Sequence, residues 1–150
     1  MNFSAPFIAM FFGVQLQQVL PYCDIIIGNE SEAEAWAGAN GVADQKDIAT
    51  VAKTIAALPK ANASRPRVVV ITQGAESTIL ANSAEPERTK TYPVNKLKDD
   101  EIADTNGAGD AFAGGFLGAF VSGKSLDECV EVGHNLGGMC VGQVYFVLRN

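Results

Sequence analysis

Arg67-Val68-Val69-Val70-Ile71-Thr72 is the stretch that decides the fold, because it is a nearly uninterrupted run of β-branched apolar residues. Such a run predicts a strand that is buried on both faces, as in a sheet covered by helices. The upstream segment Asp24-Ile25-Ile26-Ile27-Gly28-Asn29 has the same character and predicts a second buried strand, closed by its glycine and asparagine.

Helical and alternating patterns account for most of the remaining sequence. Apolar residues at helical spacing predict helices over residues 6–20 and 45–58, and the Ala- and Glu-rich residues 30–37 predict another. Two further helices are expected over residues 108–121 and 126–142, joined around Gly123. Alternation over residues 77–81 and 89–94 predicts an antiparallel pair of strands around the polar turn at residues 85–87. Alternating strands and helices indicate an α/β sheet with helices on both faces.

The bulk composition limits the class of protein. At 150 residues with 47% apolar content, the chain has the size and composition of one globular domain. Its net charge of −6 and scattered cations argue against a nucleic-acid partner. Its three cysteines (Cys23, Cys129 and Cys140) are odd in number and lack C-x-x-C spacing, which predicts reduced, buried thiols in a cytosolic or nuclear protein.

An apolar run over residues 7–14 has some features of a signal-peptide core. No basic residue precedes it, and glutamines at positions 15, 17 and 18 follow where small residues should mark a cleavage site. The run is too short to cross a bilayer, so no membrane partner is expected. We predict a short buried helix here.

Three polar motifs follow predicted strands, at the edge where α/β sheets bind their ligands. They are Gly28-Asn29-Glu30-Ser31-Glu32, Thr72-Gln73-Gly74 and Asp104-Thr105-Asn106-Gly107-Ala108-Gly109-Asp110. Their common position predicts one shared site.

The third motif has the elements of an anion site. Its small residues Gly107, Ala108 and Gly109 precede a helix that begins near Asp110, and the first N–H groups of a helix have no internal partners. Donors that hold a phosphoryl group, beside a carboxylate that accepts a proton, are what a kinase needs. The alternative is that the small residues only permit close packing and that Asp110 caps the helix.

Residues 104–116, D-T-N-G-A-G-D-A-F-A-G-G-F, are similar to the second signature of the ribokinase/PfkB family of sugar and nucleoside kinases. The resemblance implies a ribokinase-like three-layer α/β/α sandwich and ATP as co-substrate. It implies that Asp110 is the catalytic base and that the Gly107, Ala108 and Gly109 amides form the anion hole. Asn106 would then lie near the nucleotide.

The two other motifs also resemble this family. Asn29-x-x-Glu32 is similar to its N-x-x-E motif, which implies binding of Mg²⁺ and phosphate through water, while a capping box is the alternative. The segment 72–74 resembles the ATP-side loop of the family, with Thr72 and Gly74 bordering the nucleotide.

Residues 4–8, 21–25 and 28–33 narrow the resemblance to the adenosine kinases of this family. The resemblance implies transfer of the γ-phosphoryl group of ATP to the 5′-hydroxyl of adenosine, giving AMP, by an enzyme that is monomeric at full length. Phe7 would pack against adenosine, with plain core packing as the alternative. His134 would lie near the ATP pocket, with a structural hydrogen bond as the alternative.

The segment 118–125 fits the P-loop pattern G-x-x-x-x-G-K-[ST] by letter. A P-loop follows a strand and opens a helix, whereas this segment ends a predicted helix and continues its apolar face. We therefore expect no phosphate binding here.

The resemblance runs from about residue 2 to about residue 144 and matches the later half of the family pattern. Residues 1–150 are thus expected to form the C-terminal portion of one PfkB kinase domain, without its N-terminal strands and lid. The tail 145–150 departs from the pattern. Two alternatives stay open, a non-catalytic nucleotide-binding fragment and another PfkB sugar or nucleoside kinase.

Overall fold

The computed structural model describes residues 1–98 and 101–142. These fall into two compact units, Met1–Pro93 and Val94–Asn150, and each is described by itself. The divergent tail over residues 145–150 lies outside the described residues.

The first unit is built on a four-stranded sheet in the order β1-β2-β3-β4. Its strands are β1 (Ile25–Asn29), β2 (Val68–Thr72), β3 (Ser77–Asn82) and β4 (Thr89–Pro93). β1 and β2 are parallel, whereas β3 is antiparallel to both of its neighbours. The first four residues of β2 are buried, which confirms the strand predicted to be covered on both faces.

Four helices belong to this unit: α1 (Pro6–Phe11), α2 (Gly13–Val19), α3 (Glu30–Ala39) and α4 (Ile48–Ala56). Their apolar side chains form one core with one face of the sheet, where Trp36 and Ile55 lie among Ile26, Val69 and Ile71. α4 confirms the predicted amphipathic helix, because its buried residues recur at helical spacing.

The amino-terminal helical region differs from the prediction. Residues 6–20 form two helices and a 3₁₀ turn (Leu20–Tyr22) because the chain leaves helical geometry at Phe12, where φ is −119°. Gly13 follows directly, and glycine is a poor helix former. Only Ala9 of α1 and Leu16 of α2 are buried, and Phe11 is 74% exposed, so the prediction of a buried helix is wrong. Within the described residues, no helix has the length and apolar character needed to cross a membrane.

Arg67 is fully buried at the entrance to β2. Its Nε donates to Cys23 O at 3.1 Å, and its two terminal nitrogens donate to four further backbone carbonyls. These are the carbonyls of Ile55, Leu58, Leu20 and Pro59, at 3.2, 2.6, 2.7 and 3.0 Å. Burial lowers the pKa of Arg67, and the neighbouring Cys23 and Asp24 oppose that shift.

The second unit contains the helices α5 (Ala108–Val121) and α6 (Leu126–Val141), as predicted, with Gly123 in the turn between them at φ +79°. Glycines let the two helices approach closely. A Cβ on Gly115 would lie 2.9 Å from Val132 O, and one on Gly133 would lie 2.8 Å from the Phe112 ring. The three cysteines of the chain are free thiols, as predicted, but only Cys129 is buried; Cys23 and Cys140 are partly exposed, so the prediction of burial is wrong for these two.

Candidate active site

The first two predicted motifs meet at the carboxyl ends of the parallel strands. Asn29 ends β1 and Thr72 ends β2, and the two residues are partners in the strand register. The Thr72 hydroxyl donates to Gly28 O at 3.4 Å, which joins the two strand ends. Gly74 follows at φ +55°, a left-handed conformation that favours glycine and turns the chain into β3.

Asn29 and Glu32 form a capping box at the start of α3. Asn29 Oδ1 accepts from Glu32 N at 2.9 Å, and Glu32 Oε2 accepts from Asn29 N at 3.0 Å. The Asn29 amide also donates to Glu32 Oε1 at 3.2 Å. Glu32 is only 5% exposed, and a Cβ on Gly28 would lie 3.0 Å from its Oε2, so the Gly28 backbone passes close to the carboxylate. The alternative reading of this motif is therefore present in the structure.

The capping box contains the kinds of oxygen atom that a cation binds, one amide oxygen on Asn29 and a carboxylate on Glu32. Carboxylate and amide oxygens are the ligands that Mg²⁺ prefers, and each oxygen has a second lone pair. The described residues contain no cluster of three or more His, Cys, Asp or Glu side chains able to enclose a metal. The donor set therefore fits a hydrated ion held through water better than one held by direct coordination.

Glu30, between these two residues, was not singled out from the sequence. Its Oε2 is buried and has no hydrogen-bond partner in the described part of the chain. Burial raises the pKa of Glu30, and the charges of Glu34 and Glu76 raise it further. The acidic residues after β1 are evident in the sequence, but no local pattern indicated that Glu30 would have a buried carboxylate oxygen without a hydrogen-bond partner among the described residues.

The third motif forms the amino terminus of α5 in the second unit. Gly107 is the N-cap residue and takes φ +79°, a left-handed conformation that few other residues adopt. Asn106 N donates to Asp104 Oδ1 at 2.8 Å, and Ala108 N donates to Thr105 O at 3.3 Å. The loop thereby turns directly into the helix, as the sequence predicted.

The N–H groups at this helix terminus differ in availability. Those of Gly107, Gly109 and Asp110 donate to no other described residue, whereas that of Ala108 is directed at Thr105 O. Free N–H groups at the positive end of a helix dipole bind anions. Asp110 lies exposed in the first turn of α5, the same turn that carries these donors. The cradle and the carboxylate therefore coexist within one helical turn.

The other two predicted contact residues lie in different units. In the second unit, His134 is half-buried on α6, and its ring centroid lies 5.6 Å from that of Phe112. Burial lowers the pKa of His134, which favours the neutral ring. In the first unit, Phe7 is 53% exposed and meets Phe12 edge to face at 6.5 Å, so plain core packing of Phe7 is wrong.

The P-loop-like segment is not a P-loop. Its first four residues are the last four of α5, and Ser125 caps α6 by accepting from Glu128 N at 3.3 Å. Lys124 pairs with Glu128 at 3.1 Å. Hydrogen bonds from Ser125 and Lys124 lower the pKa of Glu128 to about 2. The segment ends α5, as predicted from the sequence, and then supplies the N-cap of α6.

A parallel strand pair ending in polar loops, and a helix terminus with free amides beside a carboxylate, define a candidate phosphoryl-transfer protein of the α/β class. Comparison with known families agrees, since residues 1–146 match the model of the pfkB family of carbohydrate kinases. This chain belongs to that family.

The most similar proteins include adenosine kinases. The chain is 59% identical over 144 residues to the adenosine kinase of Schizophyllum commune, covering 96% of this chain and 42% of that protein. The adenosine kinase of Schizosaccharomyces pombe is 45% identical over 141 residues, covering 94% of this chain and 40% of that protein. The chain thus spans about two fifths of the length of these relatives.

Solved structures give the same fold. Anopheles gambiae adenosine kinase in complex with P1,P4-di(adenosine-5) tetraphosphate superposes with a TM-score of 0.90 at 39% identity, covering 94% of this chain and 41% of that one. Schistosoma mansoni adenosine kinase in complex with adenosine and AMP superposes with a TM-score of 0.87 at 31% identity, and the match covers 99% of this chain and 43% of that one. Thermotoga maritima ribokinase superposes with a TM-score of 0.71 at 25% identity, and the match covers 86% of this chain and 39% of that one. The fold is ribokinase-like α/β, as predicted.

Proposed function

We propose that this chain provides the phosphoryl-transfer part of an adenosine kinase, an enzyme that transfers the γ-phosphoryl group of ATP to the 5′-hydroxyl of adenosine and releases AMP. The observation that carries the proposal is Asp110 in the first turn of α5, beside the free amides of Gly107 and Gly109. The names of the Schizophyllum and Schizosaccharomyces relatives support adenosine as the acceptor.

In this mechanism Asp110 accepts the proton of the attacking hydroxyl. The Gly107 and Gly109 amides stabilise the charge that develops on the transferring group, and Ala108 joins them if its N–H leaves Thr105 O. One such donor is worth roughly 3–4 kcal/mol of barrier, by analogy with oxyanion holes. Phosphoryl transfer depends mainly on position and charge, so the mechanism does not require a strong base.

The remaining residues are assigned to binding. Thr72 and Gly74 in the first unit, and Asn106 and His134 in the second, are proposed as ATP contacts. Phe7 is proposed as an adenosine contact, and its exposure makes the ring available for stacking.

Magnesium is proposed as the cation that accompanies ATP. Asn29 and Glu32 would hold it through water while keeping the capping box that orders the start of α3. Bound there, the ion would supply charge neutralisation for the phosphates.

The test of the catalytic role uses a chimera, because the chain spans two fifths of its relatives. Residues 1–146 replace the matching segment of the Schizophyllum commune kinase, and AMP formation is measured. Asp110→Asn should lower kcat by about 10²–10⁴-fold, the usual range for a general base. Asp127→Asn, the same charge change in the first turn of α6, is the matched control and should stay within about two-fold. An active Asp110→Asn chimera would refute the assignment.

The second candidate function is nucleotide binding without turnover by the 150-residue chain itself. The short span relative to the kinases favours it, because positioning of both substrates supplies much of catalysis. We expect the chain to bind ATP and to form little AMP. Robust AMP formation by the chain would contradict this.

A further inference from the structure

The carboxyl-terminal turn of α6 holds the loop that leads into α5. Ala103 N and Asp104 N both donate to Val141 O, at 3.0 and 3.2 Å. Nearby, a Cβ on Gly137 would lie 3.4 Å from Ala108 O, so the helix backbone passes close to the start of α5. The anion-binding loop is therefore built against one helical turn of α6.

Cys140 makes the side-chain contact of this turn with the loop. Its thiol donates to Asn106 O, with Sγ 3.6 Å from the oxygen, and a Cβ on Gly107 would lie 3.6 Å from the same sulfur. The thiol thus faces the peptide group that joins Asn106 to Gly107. This contact is a hydrogen bond to the back of the proposed cradle.

The direction of that peptide group matters because a trans peptide is planar, with its C=O and N–H pointing in opposite directions. When the Asn106 carbonyl points to Cys140, the Gly107 N–H must point away from α6. Gly107 has φ +79°, and glycine accepts positive and negative φ about equally, so its own backbone offers little resistance to rotation of this peptide. An external hydrogen bond is needed to choose one orientation.

α6 is a suitable support because it is tightly fixed to α5. A Cβ on Gly115 would lie 3.2 Å from Gly133 Cα, and a Cβ on Gly133 would lie 2.8 Å from the Phe112 ring. Helices in such close contact cannot shift without steric overlap, so a bond from α6 transmits a fixed position to the loop.

We propose that Cys140 is a positioning residue, whose thiol orients the Asn106–Gly107 peptide so that the Gly107 N–H faces the γ-phosphoryl group. The effect on nucleotide binding rests on the proposed function, whereas the orientation of the peptide rests on the hydrogen bond between Cys140 and Asn106 alone. It predicts that the thiol affects binding of ATP, which carries the γ-phosphoryl group, and leaves ADP unaffected.

The experiment compares four variants of the full chain. Cys140→Ala and Cys140→Val remove the donor, with and without loss of volume, and Cys140→Ser retains a donor. Cys129→Ala is the matched control, since Cys129 is a buried thiol on the same helix and faces Lys124 O instead of the loop. The two measurements are relaxation dispersion at the Gly107 amide and the separate affinities for ATP and ADP.

We expect exchange at the Gly107 amide in the alanine and valine variants of Cys140, and none in the wild type or Cys140→Ser. The same two variants should bind ATP about two- to five-fold more weakly, the loss of one weak hydrogen bond, with ADP affinity unchanged. Cys129→Ala should lower thermal stability without either effect. Wild-type behaviour of Cys140→Val, or failure of Cys140→Ser to restore it, would overturn the proposal.

The two proposals fail separately. If the wild-type chain binds neither ATP nor ADP, the nucleotide assignment is wrong, while the dispersion data still decide whether Cys140 orients the peptide. If ATP binds well and the Cys140 variants change nothing, the positioning role is wrong and the assignment of the cradle stands.

Discussion

Replacing Arg67 by methionine tests the main polar feature of the first unit. The guanidinium donates to five backbone carbonyls, which come from the 3₁₀ turn, from Cys23 two residues before β1, from the end of α4 and from the loop after it. Methionine keeps most of the volume and removes every donor. The substitution therefore isolates the hydrogen bonds from the packing.

The expected loss is set by the carbonyls that water cannot reach. The bonds to Leu20 O and Ile55 O lie in buried surroundings, and each carbonyl left without a donor there costs about 1–3 kcal/mol. Relief of the desolvated guanidinium charge offsets part of this cost. We expect Arg67→Met to lower the free energy of unfolding by about 2–4 kcal/mol, a large share of the ~5–15 kcal/mol of a typical domain.

The assay is urea unfolding of the full chain, followed by fluorescence of Trp36. This is the only tryptophan of the sequence, and it is 3% exposed in the same core. Arg65→Met is the control, because Arg65 is 72% exposed and its ion pair with an Asp24 oxygen is long at 3.7 Å. We expect this variant to change the free energy of unfolding by less than about 0.5 kcal/mol. An Arg67→Met variant as stable as Arg65→Met would refute the reasoning.

Three further predictions concern stability and use urea midpoints. Gly115→Ala should cost about 1–3 kcal/mol because its Cβ would overlap Val132 O, whereas Gly114→Ala, with no neighbour within 4 Å, should gain up to about 1 kcal/mol; equal midpoints would contradict this. The hydrogen bond from Lys60 lowers the pKa of Asp24 below 3.8, so its stabilisation is present above that pH and is lost as the pH falls through the folded-state value. The loss of unfolding free energy caused by Asp24→Asn should therefore become smaller at acidic pH, and a loss that does not change with pH would argue against this role of the ion pair. Asn29→Ala should cost about 1 kcal/mol and Asn29→Asp less, since aspartate still caps α3; equal losses would exclude the cap.

The strands and their meeting point could be predicted from the sequence for physical reasons. Runs of β-branched residues such as those of β1 and β2 are rarely compatible with anything but a buried strand. Once both strands are parallel neighbours, their carboxyl ends must lie side by side, so the proximity of Asn29 and Thr72 followed without further information.

Other features depend on contacts between distant segments. From the sequence, Arg67 was only one of several scattered cations. No local pattern predicts that backbone carbonyls from separate segments converge on its side chain. Apolar residues over 6–20 predicted burial, but which side chains find a partner depends on tertiary packing, and Phe11 does not. The contact of Cys140 with Asn106 joins residues 34 positions apart and has no sequence signal.

The burial of Arg67 also bears on how long the folded chain survives. Its bonds to Leu20 and Cys23 span 47 and 44 positions, so they can form only after the segments on both sides have come together. Interactions of such long sequence separation are expected to form late, after the rate-limiting step of folding. Their loss would then leave the refolding rate nearly unchanged and shorten the half-life of the native state. The hydrogen bonds of Arg67 would thereby control the rate at which the native state unfolds.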